Sequence, residues 1–140
     1  MAQIIWTEPA LQDLNDIAEY IALDKVSAAK RLVQKVFSSV KRLEQFPKSG
    51  RMPPELEKSR YLEVVVNPCR IFYRIEKEKV FILYVMRSER KLRNYLLEAR
   101  FNEAANKANS LGQSKAKRVV MLRMQNGTSK SPFCPRLSRR

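Results

Sequence analysis

Three runs rich in β-branched and aromatic residues follow one another closely, and they constrain the fold more than any other part of the sequence. They cover residues 61–66, 69–75 and 80–86. Residues of these types favour strands, and the two breaks, which contain Asn-Pro and a charged turn, are short enough for tight connections. The sequence therefore predicts three consecutive antiparallel strands.

Two amphipathic helical patterns precede these strands. In the first, apolar residues recur at spacings of three and four between Leu11 and Ile21. The second extends over residues 27–45 and ends before Pro47, which disfavours helical geometry in the residue before it. A short strand at residues 3–7 precedes both helices. The pattern predicts an α+β fold, a helical hairpin packed on a mainly antiparallel four-stranded sheet in the order β-α-α-β-β-β, followed by a short C-terminal helix.

The middle strand of the three has two different faces. Successive residues of a strand point to opposite sides, so the faces carry Ile71, Tyr73 and Ile75 on one side and Arg70, Phe72 and Arg74 on the other. We expect the first face to pack on the helices and the second to present its arginines outward. The run at residues 80–86 is apolar throughout, which indicates a central strand buried on both faces.

The chain is strongly basic, and the charge is unevenly spread. It has 28 lysines and arginines against 14 aspartates and glutamates, a net charge of +14. Residues 1–97 carry 18 basic and 12 acidic side chains, whereas residues 98–140 carry 10 and 2. Such a balance indicates anionic partners, which include nucleic acids, acidic proteins and membrane surfaces.

The residue types that are missing exclude several kinds of site. The sequence has no histidine, the commonest acid–base group and metal ligand. It has no P-loop, no Rossmann glycine pattern and no clustered metal-ligand spacing, so we expect no cofactor and no metal. It has no apolar run of about 20 residues that could span a bilayer and no signal-peptide pattern. We expect a cytoplasmic protein without membrane contact, in which Cys69 and Cys134 form no disulfide.

The C-terminal part differs in composition from the rest. Residues 98–108 are compatible with a final helix, but the apolar periodicity fails after Gly112, and the chain becomes rich in Lys, Arg, Ser, Pro and Asn. This composition is typical of disorder. We predict one folded domain over residues 1–97 and a basic extension over residues 98–140 that is helical at first and then disordered.

Five short strings, in order, resemble the ParE branch of the ParE/RelE toxin superfamily, the toxins of type II toxin–antitoxin modules. They lie at residues 13–22, 28–32, 43–51, 70–75 and 85–92. The resemblance covers residues 3–97 and makes residues 1–97 the toxin domain, while the last 40 or so residues match nothing in the family pattern. Two positions depart from it, because the family often has a histidine where Arg87 stands and an acidic residue where Lys91 stands.

The resemblance implies a growth inhibitor that a cognate acidic antitoxin neutralises, of the kind found in plasmid stabilization systems. ParE relatives poison DNA gyrase by contact, without chemistry of their own, whereas RelE relatives are endoribonucleases that cut mRNA on the ribosome. The long helical hairpin and the string at residues 70–75 resemble the gyrase-directed branch more closely. A third hypothesis, based on charge alone, is a basic nucleic-acid-binding protein.

The resemblance also implies candidate site residues. In the RNA-cleaving branch an arginine that resembles Arg70 contacts the scissile phosphate, and a tyrosine close to Tyr95 contributes to catalysis. If the chain cleaves RNA, the candidate catalytic residues are therefore Arg70, Arg87 and Tyr95. The candidates for contact with a target or a phosphate, which suit guanidinium chemistry, are Arg70, Arg74, Arg87, Arg90 and Arg93.

Each candidate has a purely structural alternative. Arg70 and Arg74 can form ion pairs with Glu63 on the adjacent strand, Tyr95 can pack on a helix face, and the arginines after the last strand can be solvated charges. Cleavage of RNA through the 2′-hydroxyl needs a proton acceptor and a proton donor. The nearby carboxylates are Glu63 and Glu89, and neither is an evident general base, which favours the gyrase-directed branch.

Overall fold

The computed structural model describes residues 2–56, 60–88, 92, 94–106 and 111–125. Within these ranges the helices are α1 (Glu8–Ala22), α2 (Val26–Lys41), α3 (Asn94–Asn106) and α4 (Gln113–Gln125). The strands are β1 (Gln3–Trp6), β2 (Tyr61–Val66), β3 (Cys69–Glu76), β4 (Lys79–Arg87) and β5 (Leu111–Gly112). Each helix in the described part is too short or too polar to cross a membrane.

The strands form one sheet in the order β2-β3-β4-β1-β5. The neighbours β2, β3 and β4 are antiparallel, β1 lies parallel to β4, and β5 is antiparallel to β1. The predicted α+β fold is confirmed, with a helical hairpin of α1 and α2 on a mainly antiparallel sheet. The two-residue strand β5 adds to the four predicted strands, beside β1.

The helical hairpin covers one face of the sheet through its apolar stripes. Trp6 of β1 and Phe37 of α2 are both buried there, and their ring centroids lie 4.8 Å apart. Thr7 caps α1, because its hydroxyl accepts a hydrogen bond from the backbone N–H of Ala10 and donates one of 2.8 Å to the carbonyl of Ile82. Such a cap stabilises a helix by about 1 kcal/mol, and the second bond attaches the start of α1 to the centre of the sheet.

The helix α2 ends earlier than its apolar pattern. It stops at Lys41 instead of residue 45, and the chain continues as a 3₁₀ turn over Arg42–Glu44. This tighter turn keeps Leu43 buried and places the carbonyl of Glu44 where it accepts a 2.8 Å hydrogen bond from the backbone of Ala2. Because 3₁₀ turns often finish helices, the apolar periodicity continues beyond the last α-helical residue.

The arginine face of β3 is covered, so the prediction that it points outward was wrong. Arg70 and Arg74 are only 6% and 5% exposed, and Phe72 between them is fully buried. A second, smaller core lies on this face, with contributions from the loop before β2, from the strands and from α3. Its members are Leu56, Tyr61, Phe72, Leu83, Met86, Leu92, Leu97 and Phe101. The strand β4 is apolar on both faces, as predicted, and each face therefore requires a cover.

The C-terminal extension is helical further than its composition indicates. The helix α4 follows Gly112 directly, so the predicted disorder is wrong for residues 113–125. Ala116 and Val120 of α4 are fully buried in the core under the helical hairpin. Among the described side chains of α4, these two and the partly buried Met121 form a stripe against the core that is narrower than a typical amphipathic face. The helix α3 crosses the predicted domain boundary, and residues 126–140 lie outside the described residues.

Candidate functional site

Arg70 is held in a chain of four charged side chains on β2, β3 and the loop before them. Its Nη1 and Nη2 atoms donate to the two carboxylate oxygens of Glu55 at 2.8 and 2.7 Å, and its Nε atom donates to Glu63 at 2.7 Å. The other oxygen of Glu63 accepts a 2.6 Å hydrogen bond from the Nε atom of Arg51. Because the Glu63 side chain is fully buried, the two arginines provide the compensating charge that a carboxylate in the core requires.

The strand register explains this pairing. Val65 lies opposite Arg70, and Glu63 lies opposite Phe72, so Glu63 and Arg70 are diagonal neighbours on one face of the sheet. The structural alternative from the sequence, an ion pair between Arg70 and Glu63, is therefore confirmed.

The pair with Glu55 further stabilises the charged state of both partners. Hydrogen bonds from Arg70 lower the pKa of Glu55 from its usual 4.5 to about 2. Hydrogen bonding to Glu55, aided by Glu63, raises the pKa of Arg70 despite its burial. All three guanidinium nitrogens of Arg70 donate to carboxylates, so contact with a phosphate would require these bonds to separate.

Arg74 is also buried and paired, but with a different partner from the predicted Glu63. Its Nε and Nη2 atoms donate to Glu76 at 3.1 and 2.6 Å, and its Nη1 atom lies 3.8 Å from Glu98 of α3. Its guanidinium carbon lies 3.8 Å from the ring centroid of Phe101, also in α3. Charge and cation–π contact together place α3 directly over this arginine.

Arg87 lies on the other side of the sheet from these two arginines. In the strand register it is opposite Cys69, which belongs to the core under the helical hairpin. Since Cys69 and Arg70 are consecutive in β3, they point to opposite faces. The guanidinium carbon of Arg87 lies 5.7 Å from the ring centroid of Tyr20 in α1. The structure thus does not bring Arg70 and Arg87 together.

A cleft of about 580 Å³ opens beside Arg87, between α1 and the end of β4. Its lining residues are Asp13, Asp16, Ile17, Tyr20, Tyr84, Val85, Met86 and Arg87. The pairing of β1 with β4 ends at Trp6 and Ile82, while β4 continues to residue 87. Beyond that point the helix α1, and not a strand, lies beside β4 and accepts a hydrogen bond from its backbone. The cleft combines acidic, basic and aromatic groups, and Tyr20 is 62% exposed.

Asp13 and Arg100 fix one wall of the cleft. The Asp13 carboxylate accepts a 3.2 Å hydrogen bond from the backbone N–H of Val85 and a 2.5 Å bond from Arg100 of α3. Arg100 also donates to the carbonyl of Leu83 at 3.0 Å. These side chains bond to backbone groups of β4 beyond the end of β1, where the ladder has stopped. Burial raises the pKa of Asp13, and the bonds from Arg100 and Val85 offset only part of that rise.

The remaining candidates cannot be placed at the cleft. Arg90 and Arg93 lie outside the described residues, and Tyr95 belongs to α3 but its side chain lies outside the described part. Among the candidates with described side chains, the two strand arginines are engaged in buried ion pairs, and Arg87 borders a cleft. Across the described ranges, three or more His, Cys, Asp or Glu side chains do not meet at any point as a metal site.

The candidate residues predicted from the sequence did not include the α1 side of the cleft. Asp13, Asp16, Ile17 and Tyr20 follow one another at helical spacing, so they form a second stripe beside the buried one. This spacing is visible in the sequence. Its meaning depends on the end of β4 lying opposite, which requires the strand register.

Residues 4–92 match the family described as "ParE toxin of type II toxin-antitoxin system, parDE". The protein Y4kP of Sinorhizobium fredii is 37% identical over 89 residues, which are 64% of this chain and 91% of that protein. Toxin RelE2 of Caulobacter vibrioides is 31% identical over 90 residues, which are 64% of this chain and 99% of the relative.

A solved structure of the chromosomal ParDE TA system from P. aeruginosa is similar with a TM-score of 0.55 at 27% identity, and the match covers 64% of this chain and 98% of that chain. The family match includes the hairpin, the strands β1–β4, the buried arginines and the cleft, and it ends before α3. The chain therefore belongs to the ParE toxins of type II toxin–antitoxin systems.

Proposed function

We propose that this toxin inhibits growth by binding DNA gyrase at the cleft beside Arg87, and that it acts by contact without chemistry of its own. The observation that carries this proposal is the separation of the candidate arginines. Arg70 lies on the α3 side of the sheet in two ion pairs, while Arg87 lies on the α1 side. Contact of one phosphate with both arginines would require them to reach it from opposite faces of the sheet, which favours action by contact.

The ionisable groups around the cleft also favour contact over RNA cleavage. Cleavage through the 2′-hydroxyl needs one group that accepts a proton and another that donates one. Histidine is absent from the sequence. Both carboxylates of the cleft accept hydrogen bonds, Asp13 from Arg100 and Asp16 from Gln12 at 2.9 Å. Both oxygens of Asp13 accept from Arg100, and this engagement favours action by contact over proton abstraction.

The cleft has the composition of a protein-docking site. Tyrosine and arginine are the residue types that most often dominate binding energy at interfaces, and Tyr20 and Arg87 stand together at the rim. Leu23 and Val26 lie just beyond Tyr20, at the end of α1 and the start of α2, and both are more than half exposed. A partner that extends past Tyr20 along the chain could bury these two side chains as well.

A second candidate function is ribosome-dependent cleavage of mRNA. The observation in its favour is the 31% identity to Toxin RelE2, while the arginine at position 87 is compatible with either function. In that mechanism Arg87 would stabilise the charge that develops on the phosphate, and Arg70 would have to leave Glu55 and Glu63.

Two assays with the purified chain separate these functions. We expect inhibition of gyrase supercoiling with trapped cleaved DNA, and no new mRNA cuts in a translating extract. Arg87→Ala and Tyr20→Ala should each weaken the inhibition about tenfold, which corresponds to about 1.4 kcal/mol. Arg31→Ala, on the exposed part of α2, removes the same charge elsewhere and should leave inhibition unchanged. Ribosome-dependent cuts with normal supercoiling would establish the second function instead.

The partner that neutralises the toxin is the cognate antitoxin of the module. We propose that it is acidic, because the toxin carries a net charge of +14 and opposite charge accelerates association. Co-expression of the antitoxin should restore the growth of cells that express the toxin. Growth that stays inhibited, or the lack of a complex in pull-down, would contradict this part of the proposal.

A further inference from the structure

The C-terminal extension covers one edge of the sheet and part of the helical hairpin. The strand β5 pairs antiparallel with the last two residues of β1, Ile5 and Trp6. The helix α4 begins directly after it and buries Ala116 and Val120 in the core under the hairpin. Residues 111–125 thus form a compact strand-and-helix segment, with the strand on an edge and the helix against α1 and α2.

This segment is an addition to the part of the chain that defines the family. The family match ends at residue 92. The Caulobacter relative aligns over 90 residues that make up 99% of its length. A toxin of that length has no strand-and-helix segment of its own to place on β1, so another chain can reach the same surface.

The covered surface has the features of two common modes of peptide recognition. An edge strand presents unpaired backbone groups that an extended segment can pair with, and an apolar groove between helices accepts one face of an amphipathic helix. In this chain both features lie side by side and take one continuous segment. The surface therefore fits a partner segment with a short strand followed at once by a helix.

The chain's own segment fits this surface in shape but adds positive charge to a domain that is already positively charged. The helix α1 carries four acidic residues and α2 carries four basic ones, so the hairpin is balanced. The helix α4 adds four basic residues and no acidic one to a domain whose residues 1–97 already have a net charge of +6. An acidic segment in the same place would reduce the repulsion that the chain's own segment increases.

We propose that residues 111–125, which cover the edge of β1 and the adjoining surface of α1 and α2, act as an intramolecular competitor of the cognate antitoxin for that surface. The inference rests on the proposed function in one respect, namely that the toxin has an antitoxin. A competitor of this kind lowers the apparent affinity for the antitoxin, because only the fraction of chains whose segment is undocked can bind it. A change that weakens the docking of α4 should therefore strengthen antitoxin binding.

Two full-length variants on different sides of one turn of α4 make the matched comparison. Val120→Arg places a charge at a fully buried position and should release the segment, whereas Leu122→Arg places the same charge at a position that is 50% exposed. The first probe is a fluorescent peptide with the sequence of residues 111–125. We expect it to bind the Val120→Arg chain at least tenfold more tightly than the Leu122→Arg chain. Equal binding to both would overturn the proposal.

The second probe is the purified acidic protein encoded beside the toxin. It should displace the labelled peptide from the Val120→Arg chain and bind that chain at least tenfold more tightly than the Leu122→Arg chain. A complex that retains the peptide would place the antitoxin elsewhere and overturn this inference alone. No complex with either chain, and no rescue of growth, would overturn the proposed function and the competitor role with it.

If the arginine variant does not fold, Val120→Ala replaces it. This change removes apolar contact without adding charge, and it should shift both affinities in the same direction by a smaller factor. Antitoxin affinity equal to that of the wild type, with the peptide bound more tightly, would again overturn the competitor role.

Discussion

The backbone N–H of Gly50 donates a 3.0 Å hydrogen bond to the hydroxyl of Tyr73, and this hydroxyl donates one of 2.7 Å to the carbonyl of Pro47. These two hydrogen bonds join the loop after α2 to the centre of β3. A Cβ atom on Gly50 would lie 2.8 Å from the carbonyl oxygen of Glu63 and equally close to the Tyr73 ring. The residue is therefore a glycine because two neighbours occupy the space that a side chain would need.

Gly50→Ala should accordingly destabilise the domain by about 1–3 kcal/mol, the usual cost of inserting a methyl group where backbone must shift. Urea unfolding measures this change. Gly112→Ala is the matched control, because no atom lies within 4 Å of the Cβ it would add, and its free energy of unfolding should stay within about 0.5 kcal/mol. Equal effects at both glycines would contradict the close contact with Tyr73.

The pair between Glu55 and Arg70 predicts a loss of stability in acid. The pKa of Glu55 is about 2 in the folded chain, below its usual 4.5, so the folded state binds a proton less readily than the unfolded state. The stabilisation is fully present above about pH 4.5 and is lost as the pH falls towards 2. Glu55→Gln should remove this part of the pH dependence in unfolding curves between pH 2 and 6. Glu78→Gln, in the exposed turn before β4, leaves the pair of Glu55 and Arg70 intact, so this variant should keep the pH dependence of the wild type.

We expect the stability of the core to be especially sensitive to substitution at Phe37. It is 2% exposed and packs against Trp6, so Phe37→Ala should cost about 3–5 kcal/mol. Phe46→Ala removes the same ring from a position that is 62% exposed and should change stability by less than about 1 kcal/mol. Thermal unfolding of the two variants side by side tests the assignment of the α2 face.

The sequence predicted those parts of the fold that depend on local patterns. The apolar stripes of α1 and α2 and the three consecutive strands are each visible within about 20 residues. The ion pair of Arg70 with Glu63 was also accessible, because hairpin register makes these residues diagonal neighbours. The partner of Arg74 was not accessible, since part of its environment comes from Glu98 and Phe101 on a later helix.

The cover over the arginine face could have been inferred from one clue. The strand β4 is apolar on both faces, and the hairpin covers only one of them, so a second cover was required. The sequence does not say which segment supplies it, because only a few of the described side chains of α3 and α4 are fully buried. The cleft depends on the point where β1 stops beside β4, a property of the register that composition and periodicity do not contain.

The two arginines that the sequence placed in one catalytic set should behave differently when each is removed. Arg70→Ala removes one of the two arginines that pair with the buried carboxylate of Glu63 in the described part of the chain, and breaking a buried pair in this way costs about 3–5 kcal/mol. Arg87→Ala removes a half-buried side chain beside Tyr20, and the loss of that contact should cost about 1 kcal/mol or less. Urea unfolding distinguishes the two losses.

When inhibition is normalised to the amount of folded protein, the Arg87→Ala chain should lose more activity than the Arg70→Ala chain. The Arg70→Ala chain that remains folded should inhibit gyrase like the wild type, because the Arg70 side chain does not line the cleft, whereas Arg87→Ala should inhibit about tenfold more weakly. Titration of each variant against supercoiling, with the folded fraction measured by circular dichroism, gives both numbers. A stable Arg70→Ala chain without activity would show that Arg70 contacts the target and that its ion pairs open when the toxin binds.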